Sequence, residues 1–372
     1  MRRLLVVAVA ALVLVPPALA APPAVVARSY LVVNATTGEV LASRDAHARV
    51  PIASITKLMT VLVALERARV ADPVVVDPQA DVVGESSAQL HAGERLLLGD
   101  LIKAALIQSA NDAAYAIAAG TARGNVGSFV ASMNAKATRL GLRDTHFIRP
   151  DGLDVAGHYS SAWDVTRLAR AAMRRPFVRD VVRRRTAVIA GGRRLHTWND
   201  LLGSFPGLLG VKTGHTSAAG WCEVAAARAR GMTIYATILG SQTRAQRNAD
   251  LAALLRWGVS RYRVARVISA GRTYARAATG YGRASLPLVA ARAARVPIRT
   301  GRPLVERVVA AGAVELPVRA GARLGTVRVF AGRRLVATRP LVATRTVERP
   351  GAVARARFYG RRALAHAWGW IT

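Results

Sequence analysis

Ser54 and Lys57 stand three residues apart in Ala53-Ser54-Ile55-Thr56-Lys57-Leu58. On a helix that spacing puts the two side chains on one face, one turn apart, so the lysine amine can reach the serine hydroxyl. An unactivated serine is a poor nucleophile. If burial and a second lysine disfavour the ammonium form of Lys57, its free amine can take the proton as Ser54 attacks a carbonyl. A helix start also leaves backbone donors without an intrahelical partner, so the N–H of Ser54 can help hold a developing oxyanion.

Lysine usage points to the same place. Of the 54 Lys and Arg residues only four are lysines, and two of those four are Lys57 and Lys212. Where only charge is needed arginine serves, but its guanidinium does not lose a proton near neutral pH, whereas a desolvated ammonium does. Ser109-Ala110-Asn111 supplies a second hydroxyl to relay a proton and an amide to orient lysine and substrate, although both residue types are also ordinary helix caps. Lys212-Thr213-Gly214 adds a cation and a hydroxyl beside a glycine, on a strand edge where an extended peptide could pair and its backbone approach closely. His215 follows, and its backbone N–H is a candidate second oxyanion donor. Each motif alone recurs by chance; in this order, about 55 and about 100 residues apart, they form a more specific set.

Those residues need elements to hold them. Tyr30–Val33 and Glu39–Ala42 read as strands around a turn ending in Gly38, and a helix is expected from about Ser54, with Ile55, Leu58, Met59, Leu62 and Leu65 at helical spacing. Residues 96–142 read as helical with an interruption at Ser109-Ala110-Asn111. Gly207–Val211, Trp221–Ala227 and Met232–Leu239 read as strands, and Ala245–Trp257 as a closing helix. From about Val264 the pattern becomes short β-like runs punctuated by Gly and Pro, among them Leu316–Val318, Gly325–Phe330 and Leu335–Ala337. This predicts a catalytic domain over 24–262 and a small β domain over 266–347, joined by the stretch around Gly280–Gly282. Residues 350–372 can be drawn as a basic amphipathic helix, with Val353, Tyr359, Leu364, Trp368, Trp370 and Ile371 on one side, suited to an anionic membrane surface. Arg357 and Phe358 interrupt that pattern.

Arg2 and Arg3, an apolar run Leu4–Val15 and Ala18-Leu19-Ala20 predict a cleaved secretory signal over 1–20, leaving an extracytoplasmic protein. The single cysteine, Cys222, excludes an intramolecular disulfide and reads as a small apolar side chain in a strand. A net charge of +33 with only 5% aromatic residues, and arginines scattered through every region, argues against nucleic acid as partner; anionic lipids and wall polymers fit better. The seven histidines show no zinc spacing and read singly as surface or loop residues, with His215 the exception; no metal or other cofactor is expected.

Taken together the chain resembles the serine D-alanyl-D-alanine carboxypeptidases, the low-molecular-mass penicillin-binding proteins. The resemblance runs from about Ser29 to Val347 and rests on Pro51 to Thr60, Asp151-Gly152-Leu153 with His158-Tyr159-Ser160-Ser161, Lys212-Thr213-Gly214-His215-Thr216, and Leu316-Pro317-Val318 with Gly321 and Gly325. It implies the α/β (α+β) serine β-lactamase/penicillin-binding-protein-like transpeptidase fold followed by a small all-β domain. It also implies an acyl-enzyme on Ser54, Lys57 as base, Ser109 and Asn111 as relay and positioning groups, and Lys212 with Thr213 at the substrate carboxylate. Arg247, or its competitor Arg244, would assist there. Peptidoglycan stem peptides would be substrates and β-lactams covalent inhibitors. A class A β-lactamase needs a glutamate between the second and third motifs, and none lies between Asn111 and Lys212; Asp151 and Asp164 read as structural. D,D-endopeptidase action on cross-links and an idle wall-binding or sensor protein are the other readings.

Overall fold

The structure is a computed structural model that describes residues 5–12 and 21–368. The chain divides into two compact units: Ala21–Ser260, and the residues from Arg261 onward together with the N-terminal segment.

The first unit is built on a five-stranded antiparallel sheet. Its strands are β1 (Ser29–Asn34), β2 (Glu39–Arg44), β3 (Leu208–Thr216), β4 (Gly220–Ala229) and β5 (Met232–Ser241), in the spatial order β2-β1-β5-β4-β3. Every residue of β1 is buried, so this strand is covered on both faces. Thr237 and Ile234, three apart on β5, point to opposite faces. The Thr237 hydroxyl meets that of Thr166 at 2.6 Å on the helix Ala162–Ala172. On the other face the helix Arg244–Ser260 sets Gly258 so close that a Cβ there would lie 2.9 Å from Ile234 Cγ2 and 3.2 Å from Val32 Cγ1. Beside the sheet, the helix α1 (Lys57–Arg67) buries every residue from Lys57 to Ala64, which is why its apolar positions surround the axis rather than forming a stripe. Strand β3 is the sheet edge next to the start of α1.

The second unit has its own core around Ile268, Leu286, Leu288, Val327 and Leu341. In Arg323–Ala331 the inward residues Val327 and Val329 flank the exposed Arg328, the period-two pattern of a half-buried strand. Leu316–Val318, in contrast, makes only an isolated bridge, Val318 to Val347; Pro317 has no N–H to give to a ladder. The glycines at 280–282 are not a linker either. Gly280 and Gly282 take φ of +71° and +70° in the connection between the paired strands Thr273–Ala277 and Leu286–Ala290, inside this unit, and the break between units falls instead after Ser260, where a helix ends. Leu5–Leu12, within the expected signal, pairs antiparallel with the strand Leu304–Ala311; the expected cleavage site lies outside the described residues.

The C-terminal helix spans Ala352–Trp368. Phe358, which interrupts its amphipathic pattern, packs edge-on against Tyr281 at 5.6 Å, while Val353 and Leu364 stay exposed. Trp370 and Ile371 lie outside the described residues. Among the described residues no helix is long and apolar enough to cross a membrane.

Candidate active site

Ser54 does not open an α-helix. It lies in a 3-10 turn, Ala53–Thr56, and α1 begins at Lys57. The tighter turn eclipses residues three apart, so Ser54 stacks directly over Lys57. Ala53, just before it, sits at φ +50°, a left-handed conformation that a non-glycine residue keeps only where the surroundings hold it.

Lys57 has no exposed surface, and its Nζ lies 2.7 Å from Ser54 Oγ, 2.6 Å from Asn111 Oδ1 and 2.7 Å from the carbonyl oxygen of Asp151. The Asn111 amide is oriented by its own Nδ2, which donates to Gly84 O at 2.9 Å and so leaves Oδ1 facing the lysine. Two of the three partners are therefore acceptors only. A neutral amine fits this set completely: it donates to Asn111 Oδ1 and Asp151 O, and its lone pair faces the one partner that carries a proton, the Ser54 hydroxyl.

Burial drives the Lys57 pKa down to about 7. The carboxylates of Asp151, Glu85 and Asp112 oppose the shift, and Arg149 adds to it. Burial dominates the shift, Arg149 supplies a like charge, and the expected repulsion between the two lysines shows in the lowered pKa of Lys212. Arg149 reaches that position because it grips the buried Asp151 carboxylate through Nε (2.6 Å) and Nη2 (2.9 Å).

The second motif arrives on a distorted helix. Leu98–Lys103 passes into a π-helical stretch, Ala104–Gln108, which ends at Ser109 in the left-handed region (φ +67°) before a new helix starts at Asn111. Such π segments turn side chains out of register, and here the result is that Ser109 Oγ accepts from Lys212 Nζ at 2.8 Å. Lys212 also donates to Thr213 O at 2.8 Å, and its pKa is lowered well below the usual value, by burial first and then by Lys57.

Gly214 explains how β3 comes so near. A Cβ at Gly214 would lie 2.8 Å from Ile52 O and 3.1 Å from Ala53 Cβ, so the missing side chain lets the strand itself lie against the Ser54 turn. The Asp151–Leu153 loop presses on the opposite side: at Gly152 (φ +88°) a Cβ would stand 2.1 Å from Ala53 O.

Three supports were not read from the sequence. His158, expected as a surface or loop residue, is buried. Its Nδ1 accepts from Ile148 N at 3.2 Å, so Nε2 donates to Thr56 Oγ1 at 2.8 Å, and burial lowers its pKa to about 4, which keeps it neutral. The second is the Asp151 backbone carbonyl itself, a contact no side-chain pattern announces. The third is Glu223 on β4, cross-strand from Thr213 and fully buried, with its pKa pushed up by burial to about 7. A charged residue inside an otherwise apolar strand was its sequence signal.

Arg247 and Arg244 separate clearly. Arg247 is 1% exposed, has Nε 3.2 Å from Glu223 Oε2, stacks over Trp221 at 5.6 Å and lines the cavity; Arg244 is turned onto Asp200, with Nε 2.7 Å from Oδ2. The cavity holds about 190 Å³ and is lined by Ser54, Glu85, Ser86, Ser109, Asn111, Trp198, Thr213, Gly214, His215, Trp221 and Arg247. The exposed His215 ring lies 4.0 Å from that of Trp221. Cys222, directly behind, is buried, and its thiol pKa is raised to about 11, which leaves it an inert packing group.

The family model for D-alanyl-D-alanine carboxypeptidases of the peptidase S11 class matches residues 17–243. D-alanyl-D-alanine carboxypeptidase DacF of Bacillus subtilis is 28% identical over 338 residues, covering 87% of each chain, and DacA of Escherichia coli is 32% identical over 279 residues, covering 71% of this chain and 69% of the relative. Among solved structures, the Streptomyces K15 DD-transpeptidase superposes with a TM-score of 0.61 at 32% identity, over 65% of this chain and all of that one. Penicillin-binding protein 5 from Haemophilus influenzae gives 0.65 at 25% identity over 89% of this chain and 100% of the other.

Proposed function

Because the chain belongs to the peptidase S11 family of D-alanyl-D-alanine carboxypeptidases, a family of penicillin-binding serine peptidases, we propose that it removes the terminal D-alanine of peptidoglycan stem pentapeptides through an acyl-enzyme on Ser54. One observation carries this reading: of the three groups around the Lys57 nitrogen, only the Ser54 hydroxyl can donate a proton to it. With a pKa of about 7 the amine is substantially neutral at ordinary pH and takes that proton as Ser54 Oγ bonds to the penultimate D-alanine carbonyl carbon.

The oxyanion is held by the backbone N–H groups of Ser54 and His215. Ser109, bonded to Lys212, passes a proton to the departing D-alanine nitrogen, and Asn111 orients the lysine and the acyl-side amide. Thr213, Lys212 and Arg247 receive the terminal carboxylate, with the peptide laid along the edge strand β3. Water then cleaves the ester. β-Lactams follow the same first step and leave slowly. Residues 1–20 act as the export signal that brings the enzyme to its substrate outside the cytoplasm, and the basic C-terminal helix rests on an anionic membrane surface.

The test is release of D-alanine from a pentapeptide. Wild type should release it, Ser54→Ala should lose about 10⁴-fold or more in kcat/KM, and mass spectrometry after benzylpenicillin should find an adduct on Ser54 of the wild type alone. Release by Ser54→Ala at the wild-type rate, or no adduct on Ser54, would overturn the proposal.

A further inference from the structure

Among the described residues Glu85 is the one carboxylate that lines the active-site cavity. It is exposed, and among the described residues none forms an ion pair or a side-chain hydrogen bond with it, in a chain of net charge +33 where carboxylates elsewhere find arginines easily. An acid left unpaired under those conditions, inside the substrate cavity, is available to a ligand.

Its position is also fixed. Asn111 clamps the chain on both sides of it: Asn111 Nδ2 donates to Gly84 O at 2.9 Å, and Asn111 N donates to Ser86 O at 2.7 Å. Ser86 Oγ donates in turn to Gln108 O at 2.9 Å. Between these anchors Glu85 sits at φ +65°, a conformation that costs a non-glycine residue energy and that glycine would take without strain. Asn111 is the residue whose Oδ1 meets Lys57, so the backbone that carries Glu85 is held at a set place relative to the reacting serine and lysine.

The cavity thus has two charged walls of opposite sign. Arg247, stacked on Trp221 at the sheet side, is cationic and suits the peptide C-terminus; Glu85, on the loop bound to Asn111, is anionic. In a substrate lying along β3 with its penultimate carbonyl at Ser54, the residue before the D-alanine pair is one extended step away, about 3.4 Å along the chain. A side chain of several methylenes from that residue can reach the loop wall.

Building on the reading of this cavity as a D-alanyl-D-alanine carboxypeptidase site, we propose that Glu85 is a specificity residue that binds the side-chain ammonium of the residue preceding the D-alanine pair. The preferred substrates are then stem peptides with a diamino acid at that position and its distal amine free. The electrostatics support a second consequence. The Glu85 carboxylate stabilises the protonated form of Lys57, so an ammonium bound to Glu85 cancels that influence and favours the neutral base.

Two pentapeptides test this, identical except that one carries a free lysine side chain before the D-alanine pair and the other its ε-N-acetyl form. Wild type should favour the free amine by about 10-fold, expressed mainly in KM, the size of a single partly exposed charged hydrogen bond. Glu85→Gln, close to isosteric, should bring the two peptides within about twofold of each other and move the acid limb of kcat/KM to lower pH. A wild type that treats both peptides alike, a Glu85→Gln enzyme that keeps the preference, or an equal loss on both peptides with the limb unmoved would each overturn the assignment. Failure of wild type to release D-alanine from either peptide would instead overturn the proposed function on which the assignment stands.

Discussion

The two ends of the active-site cavity are built alike, and the proposed mechanism asks different things of them. At one end Lys57, fully buried, meets a serine hydroxyl at 2.7 Å and a backbone carbonyl at 2.7 Å; at the other Lys212, equally buried, meets a serine hydroxyl at 2.8 Å and a backbone carbonyl at 2.8 Å. These two contacts would not tell them apart. The difference lies in what else surrounds each nitrogen. Lys57 has a neutral amide as its third partner, and the nearby Asp151 carboxylate is occupied by Arg149. Lys212 sits beside an arginine and a buried carboxylate, Arg247 and Glu223. Lys57, in a neutral cradle, is suited to take a proton from the serine, whereas Lys212, whose ammonium is disfavoured by burial and by Lys57, is suited to regain its charge when a substrate carboxylate arrives beside it.

The sharpest way to break this comparison is to swap the two lysines for arginine in turn. Lys57→Arg should cost about 10³-fold in acylation, because a guanidinium gives up no proton near neutral pH and general-base catalysis is lost. Lys212→Arg should cost about 10-fold, with charge kept and geometry altered. Both are read from the rate of benzylpenicillin adduct formation on Ser54. Equal losses would mean that the two ends do the same job.

Between these extremes lies Gly214→Ala. The added methyl group meets Ile52 O and Ala53 Cβ, so β3, carrying Lys212 and Thr213, must shift away from the Ser54 turn. A displacement of that order in a catalytic site costs about 10²-fold, and the loss should appear in acylation while the thermal unfolding transition stays cooperative. An unchanged rate would show that the two ends tolerate being moved apart.

The same comparison marks what could be read from the sequence. Ser54, Lys57, Ser109, Asn111, Lys212, Thr213 and Gly214, which the structure gathers around one cavity, could be picked out because the chemistry proposed for them resides in side-chain type and local spacing. The strands and helices around them were legible for a related reason, since burial imposes period 2 or 3.6 on residues such as Val327, Arg328 and Val329. The Asp151 carbonyl on Lys57 was not legible: any residue type has that oxygen, and it comes from 94 positions away. His158 read as a surface or loop residue, and it does lie in a loop, but its burial was not legible because nothing in one sequence distinguishes a buried neutral histidine from an exposed one. Gly280–Gly282 read as a linker because turns and linkers share a composition.

A pH profile gives a finer test of which end titrates. Lys57, with its pKa lowered to about 7, is protonated and inactive below that value, so kcat/KM should fall as pH drops through about 7. The Lys212→Arg enzyme should keep that limb, since burial is the main cause of the Lys57 shift and is unchanged by the substitution. A limb that disappears with Lys212→Arg would move the essential titration to the other end.

Glu223 titrates in the same range for the opposite reason, and its replacement separates the two. Burial raises its carboxyl to about 7, so in the folded protein it is protonated below that value and anionic above it, beside Arg247. The anion competes with the substrate carboxylate for the guanidinium, and wild-type KM should therefore rise a few-fold as pH increases past 7. Glu223→Gln should flatten that rise while leaving the acid limb of kcat/KM in place, because Glu223 is not among the groups that set the Lys57 pKa. The stability sign is also fixed. A carboxyl whose folded pKa is raised contributes stability fully present below its unfolded value of about 4.5, and that contribution is lost as pH rises through about 7. The Tm difference between pH 5 and pH 8 should accordingly shrink in Glu223→Gln. An acid limb that moves with Glu223→Gln would make the carboxyl, and not the Lys57 amine, the group whose proton governs acylation.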